Sequence, residues 1–329
     1  VWIMSYTNGL DKPSDYFEAF AYTGDGNTKV NFASDFTPNM TWFKVRNNTY
    51  DHQIHDSVRG VSVGYLDSAT NVAEQSSYPI ASFDSDGVTT VSGNITGVNK
   101  TSDLMVSWNW KKTADAGFDI VSYSGNNSTN RQISHSLSAK PDMMLVKCRQ
   151  AGLWKIYHSS LGATKYLVLS DTAGVVDNNS TWNDTEPTSS NFTLGDDGNV
   201  NETGETYINY LFAEKKSFSK IGSYIGTGSD VFIHTGFKVG WLLVKNADNT
   251  NGWLVIDTKR SPANPQGKFV YANAATAEGT VTYGEFFSNG FGWKGTGSVA
   301  VNQSGEKFIY YAIAENPFVT STGVPATAR

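Results

Sequence analysis

Hydrophobic and polar residues alternate with a period of two in three widely separated stretches of the chain. The clearest is NETGETYINYLFAEKK at 201–216; NQSGEKFIYYAIAE at 302–315 and the more degenerate NKTSDLMVSWNWK at 99–111 repeat it. Each opens on a polar turn and runs on as a strand whose successive residues face opposite ways. Aligned on the strand, one face reads Val106, Trp108 and Trp110, then Ile208, Tyr210 and Phe212, then Ile309, Tyr311 and Ile313. The opposite face, with Ser107, Asn109, Asn209 and Tyr310, is mixed. A face that is apolar or aromatic in every copy lines a core. The copies lie about 101 residues apart, so the chain reads as one structural unit written three times.

Further landmarks recur in a fixed order. A tyrosine and a glycine-bearing turn come first, at Tyr22-Thr23-Gly24, Tyr123-Ser124-Gly125 and Tyr224-Ile225-Gly226, each 101 residues from the last. A strand ending in lysine follows: TWFK to Lys44, MLVK to Lys147 and LLVK to Lys245. A lysine capping the polar end of a core strand, its stem over apolar neighbours, accounts for all three without chemistry. Next comes a strand entering a charged turn, IHDSVRG at 54–60 and VIDTKRS at 255–261. Asp56 and Arg59 stand three apart, as do Asp257 and Arg260, a spacing that lets a turn close on a charged pair. The middle copy, IYHSSLG at 156–162, puts His158 and Leu161 in those places. A catalytic pair would be retained, so the turn reads as structural.

Gly87, Asn191 and Gly290 share one position of a second turn, and Gly and Asn are the residues that tolerate positive φ. A left-handed backbone is expected there. Asn99, Asn201 and Asn302 coincide ahead of the opening strand, each with Thr or Ser two residues on, which predicts a turn held by side-chain hydrogen bonds to backbone. That turn explains why these three glycosylation sequons recur among many others, including those at Asn39, Asn94, Asn126, Asn183 and Asn191. The repeats are placed at 17–116, 117–217 and 218–318, with roughly six to eight short strands each and no long helical pattern. The fold class is all-β, three tandem repeats of ~100 residues, each a β-sandwich-like unit. Residues 1–16 read as a linker and the remnant of an upstream domain (VWIMSY resembles a last strand), and 319–329 as a C-terminal tail. The chain is therefore expected to be the C-terminal part of a longer polypeptide.

Composition narrows the function. Charged residues are only 17%, so the surface is largely neutral and polar, which suits an exported or particle-borne protein. A net charge of −6 without basic runs gives nucleic acid no electrostatic footprint. No apolar run approaches the ~18 residues of a membrane span. Cys148, alone and beside Met143, Met144, Leu145 and Val146, reads as a buried structural thiol. Asp84 and Asp86 invite a calcium ion, but such a loop needs several more oxygen ligands, so no metal or cofactor is expected. His52 and His55, three apart on a strand, face opposite sides and do not make a joint ligand pair. No nucleophile elbow, phosphate loop or dinucleotide fingerprint is present, and the chain is not expected to be an enzyme. Nine Trp and sixteen Tyr exceed what core filling needs. Trp182 and Trp293 are the candidate loop rings for stacking on a sugar or filling a partner's pocket.

The landmarks resemble a family of repeat-bearing virion proteins from marine bacteriophages, notably those infecting cyanobacteria. The likeness rests on YTGDGN at Tyr22, HDSVRG at His55, SFDSDG at Ser82, WKIYHSSLGATKYLVL at Trp154, YINYLFAE at Tyr207 and IAENPF at Ile313, and it covers the chain from about Tyr16 onward. Members are similar to tail-fibre or other appendage proteins and often carry such a region after a lectin-like, concanavalin-type sandwich. The resemblance implies an all-β particle protein that recognises a host surface glycan or protein without covalent chemistry, as a homo-oligomer (a trimer, as is usual for fibres) among other virion proteins. The alternatives are a capsid or tail decoration protein that binds only other virion proteins, and a polysaccharide depolymerase. No catalytic residue is carried over.

Overall fold

A computed structural model describes residue 10 and residues 12–32, 36–61 and 63–317. The expected strand at 1–6 and the tail at 319–329 lie outside the described residues. Strand accounts for 41% of the described residues and helix for 4%, in antiparallel sheets that form no closed barrel among those residues, so the protein is all-β. The first copy holds β1 (Phe17–Thr23), β2 (Lys29–Asn31), β3 (Met40–Val45), β4 (Gln53–Asp56), β5 (Ile80–Asp84), β6 (Gly87–Thr90) and β7 (Leu104–Trp110). The second holds β8 (Phe118–Ser124), β9 (Arg131–Ser134), β10 (Met143–Cys148), β11 (Lys155–His158), β12 (Lys165–Val168), β13 (Val176–Asp177), β14 (Asn191–Leu194) and β15 (Thr206–Phe212). In the third are β16 (Ser219–Ile225), β17 (Val231–His234), β18 (Phe237–Asn246), β19 (Leu254–Asp257), β20 (Lys268–Tyr271), β21 (Gly279–Thr280), β22 (Gly284–Phe287), β23 (Gly290–Trp293) and β24 (Lys307–Pro317). Two single-turn helices, α1 (Asn179–Trp182) and α2 (Gly198–Asn201), occur in the second copy, capped by the side chains of Asn178 and Asp197.

Each copy builds a large and a small sheet. The large sheets run β1-β7-β3-β4, β8-β15-β10-β11-β12-β13 and β16-β24-β18-β19-β20-β21, so the first and third strands of every copy flank its last. The small sheets are β2-β6-β5, β9-β14 and β17-β23-β22. Register agrees between copies: Trp42 pairs with Trp108, Leu145 with Tyr210 and Leu243 with Tyr311.

Both faces of the large sheets are buried. One packs on the copy's own small sheet: Phe43, Val88 and Met105 in copy one, Met144, Phe192 and Tyr207 in copy two, Leu242, Phe291 and Phe308 in copy three. The other face joins a single core shared by all three copies, and it carries the nine residues that the alternation sets apart, from Val106, Trp108 and Trp110 to Ile313. At its centre Trp110 stands edge-on to Trp241 (5.7 Å) and to Phe212 (6.3 Å), and Phe212 meets Tyr311 (5.0 Å). These contacts join copies one, two and three directly, so the repeats are packed around a common axis. Burying rings of this size is worth about 1.5–3 kcal/mol each, which makes the shared core a major source of stability.

The left-handed backbone predicted at Gly87, Asn191 and Gly290 is present only at Gly87, at φ 149°. The shared requirement is a different one. These residues open β6, β14 and β23 against Asn31, Ser134 and His234, and a Cβ on Gly87 or Gly290 would fall 2.0 Å from Val30 O or 2.2 Å from Ile233 O. Close backbone approach selects glycine in two copies. In the second copy, Asn191 turns outward and accepts a hydrogen bond from the Ser134 hydroxyl at 2.9 Å.

Candidate functional site

Two regions draw the chemistry-bearing residues together: the ring of contacts around the axis, and the outward faces of the small sheets. The charged turn belongs to the first. Asp56 Oδ2 accepts from Arg59 Nε at 2.5 Å and Oδ1 from the Arg59 amide at 2.9 Å, and Arg59 donates on to the carbonyls of Gly64 and Ile54. Asp257 and Arg260 repeat this at 2.6 and 3.0 Å. All four side chains are sealed from solvent. Each arginine then reaches a glutamate of its own copy (Glu74 at 3.4 Å, Glu278 at 3.5 Å), and each glutamate takes an arginine from another: Arg149 at 2.7 Å and Arg46 at 2.8 Å.

The third interface has the same backbone and different chemistry. Glu74 N donates to Arg149 O, Glu278 N to Arg46 O, and Val175 N to Ala247 O, at 2.7–2.8 Å. Val175 therefore stands where the glutamates are and Ala247 where the bridging arginines are. With His158 and Leu161 in place of the aspartate and arginine, the whole ionic set is exchanged for apolar groups; Leu161 and Val175 pack on the shared core. His158 is buried among them. Its Nδ1 accepts from Ser160 N (3.2 Å), so Nε2 carries the proton and faces Tyr310 O of copy three at 3.4 Å. Burial pushes its pKa down to about 4.

Other positions obey the same rotation. His52, Trp154 and Trp253 each bring a ring nitrogen to a carbonyl of a neighbouring copy: Tyr271 (3.0 Å), Asp67 (2.8 Å) and Val168 (2.9 Å). Lys44, Lys147 and Lys245 are fully buried, head group included, which departs from the solvent-facing cap that the sequence suggests. Lys44 Nζ donates to the carbonyls of Val45, Tyr50 and Ala275; Lys147 Nζ to Cys148 and Gly152; Lys245 Nζ to Asn246, Asn249 and Thr172. Burial lowers all three to about 8. Asn99, Asn201 and Asn302 are buried as well, and each ties the turn after its copy's first strand to the last strand. Asn201, for example, accepts from Asn126 N and donates to Ser128 O and Gly195 O. Tyr22, Tyr123 and Tyr224 lock the same corner by donating to the carbonyls of Val98, Val200 and Val301.

The aromatic loop candidates do not face solvent. Trp182 is 1% exposed; α1 tucks its ring edge-on to Tyr157, and its Nε1 donates to Lys165 O at 3.1 Å. Trp293 is 2% exposed on β23 and donates to the Tyr224 hydroxyl at 2.7 Å. Both close the interior of their own sandwich. Asp84 and Asp86 spend oxygens on Lys29 Nζ (2.6 and 2.7 Å). Cys148 is buried, its sulfur 3.7 Å from Gln150 Oε1 and Glu205 Oε2. Among the described residues no group of three or more His, Cys, Asp and Glu side chains is placed to hold a metal ion.

The outward faces of the small sheets differ from copy to copy. Copy one presents Lys29 bonded to Asp84, and copy two presents exposed Gln132 and Ser134. Registers place Phe232 of copy three where Lys29 and Gln132 stand, and Phe287 where Asp84 stands. Phe232 is half exposed and meets Phe287 edge-on at 5.5 Å beside an open groove of about 330 Å³. The sequence does carry a signal for it, since VFIH at 231–234 is apolar or aromatic on both faces where the other copies alternate.

No curated protein matches the chain. Residues 12–317, nearly the whole of it, match the family described as Domain of unknown function (DUF7483), and the chain belongs to that family.

Proposed function

We propose that the chain is a bacteriophage virion protein, a tail-fibre or receptor-binding appendage that recognises the host cell surface without covalent chemistry. The observation that carries this is the contrast between axis and periphery. Contacts around the axis are equivalent in position in all three copies, whereas the outward faces put Lys29, Gln132 and Phe232 at one register position, with Asp84 and Phe287 beside the first and last, and share no chemistry there. A rigid scaffold with divergent outer faces suits recognition, in which binding groups are presented on elements that do not move. A homotrimer of such units, the usual state of fibres, would present each face three times.

Labelled recombinant chain incubated with host cyanobacterial cells tests the reading, together with immunogold labelling of the particle. Decoration of the cells and a label on the tail are expected. No cell binding with the label on the head would make it a capsid decoration protein instead. Soluble fragments released from host polysaccharide would make it a depolymerase.

A further inference from the structure

Phe232 and Phe287 occupy the two places that hold the Lys29–Asp84 ion pair in copy one. Among the described residues Phe232 is the exposed phenylalanine, at 50%. Both rings lie low on the sheet because glycines sit beneath them. A Cβ on Gly290 would come 2.9 Å from the Phe232 ring, and one on Gly292 would come 3.1 Å from the Phe287 ring. Leaving such a ring in water forfeits burial that the ion-paired version of the same sheet never needed, so the exchange asks for an occupant.

The groove beside the rings has a polar rim. Asp230, Glu285 and Lys294 line it, and Glu285 Oε1 lies 3.8 Å from Lys294 Nζ, too far for a hydrogen bond. Both groups therefore keep bonding capacity for a ligand. Asp230 Oδ1 accepts from Gly295 N at 2.7 Å, which fixes the carboxylate at the edge.

We propose that this groove is a saccharide-binding site that seats one sugar ring of a surface polysaccharide against Phe232. The inference rests on the recognition reading above and gives it a ligand class and a place. A sugar ring has an apolar C–H face that packs on an aromatic face, and hydroxyls that donate to carboxylates and accept from an ammonium. The groove offers all three partners within a volume at the small end of ligand sites. Two carboxylates against one lysine disfavour a phosphorylated or sulfated unit. A protein partner would need roughly 800 Å² of contact on this side, far more than one half-exposed ring and a small groove provide.

The test uses the whole chain on an array of immobilised neutral oligosaccharides, and saturation-transfer NMR with the methyl glycoside of any sugar that binds. Binding is measured for the wild type, for Phe232→Ala and for Phe232→Lys with Phe287→Asp. The double variant installs the pair that copy one already carries on the same backbone, and a thermal melt within a few degrees of wild type certifies its fold. The expected result is saccharide binding by the wild type that falls at least tenfold in both variants. Undiminished binding in a folded double variant overturns the groove while the recognition reading stands. Binding to host cells without any saccharide on the array overturns the ligand class. Failure to bind both cells and saccharides removes the recognition reading itself.

Discussion

Tyr210 of the second copy donates its hydroxyl to Asp56 of the first at 2.7 Å, across 154 residues of chain. Trp108 of the first copy stands at the position of Tyr210 and donates to Asp257 of the third at 3.0 Å. The third copy meets the second through Tyr310 O and His158. These three contacts run in one rotational sense and close a ring within one polypeptide. Two of the interfaces are ionic and the third is apolar.

Removing the Tyr210 hydroxyl tests how the ring is held. Tyr210→Phe takes one partner from a buried carboxylate that keeps Arg59, so a loss of about 1–3 kcal/mol is expected. Asp56→Ala takes from the buried Arg59 guanidinium its 2.5 Å partner and leaves it only Glu74 at 3.4 Å, and should cost more, about 3–5 kcal/mol. Urea denaturation of both variants checks the order; equal costs would mean that Arg59 does not depend on Asp56.

The apolar interface predicts a coupled effect. Ala247→Arg alone puts a guanidinium against Val175, where the other two interfaces supply a glutamate, and a loss of ~3 kcal/mol or more is expected. Adding Val175→Glu rebuilds the pair found at Arg46–Glu278 and Arg149–Glu74. A double-mutant cycle should show the second substitution recovering at least ~1 kcal/mol. Simple additivity would mean that the two positions do not face each other as their backbone contact implies.

Much of this architecture is legible in the residues. The alternation through Trp108, Tyr210 and Tyr311 survives because one side of each strand always meets the same shared core, whatever the private core requires on the other. The break at His158 and Leu161 is equally visible, but its explanation is not. Val175 lies in a loop between landmarks, and Ala247 lies on another copy, so nothing local links them to the break. Trp182 misleads for a related reason. Its neighbours Asn178, Ser180 and Asn183 read as a loop, yet the Asn178 cap folds them into a single turn that carries the ring inward. Phe232 shows the converse, an exposed ring inside what looks like an ordinary apolar strand.

Acid should destabilise the fold well before its carboxylates titrate out. Burial, with Lys44 adding repulsion at His52 and Arg59 at His55, pushes both of these histidines down to about 3, and burial pushes His158 to about 4. The unfolded chain protonates its imidazoles near pH 6.5. Between those limits the unfolded state holds more protons, so stability falls as pH falls, by about 1.4 kcal/mol per pH unit for each histidine. Asp67 opposes this, since burial raises it to about 6 and the folded carboxyl protonates first. A net loss of roughly 2–3 kcal/mol per pH unit is expected between pH 6 and 4. Urea midpoints at pH 7, 6 and 5 measure it, and His158→Gln should flatten the slope by about 1.4 kcal/mol per unit. A flat profile in the wild type would refute neutral, buried imidazoles.

The shared core makes a prediction about the single repeat. Copy two alone, residues 117–217, keeps the private core of Met144, Phe192 and Tyr207. It loses cover over Met143, Leu145, Ile156, Ile208, Tyr210 and Phe212, all of which are buried against the other copies. At about 1.5–3 kcal/mol per side chain, the exposed face forfeits an amount comparable to the whole stability of a domain of this size. The isolated repeat should therefore not persist as a folded monomer. Its apolar face is complementary to faces built on the same backbone, so association with its own kind is the expected route to cover, even though each seam would then set Arg149 against Val175 instead of Glu74. Sedimentation of the fragment should show trimers or larger assemblies, with a melting temperature that rises with concentration. A monodisperse, cooperatively folded monomer would mean that each sandwich stands on its private core and that the axis contributes little.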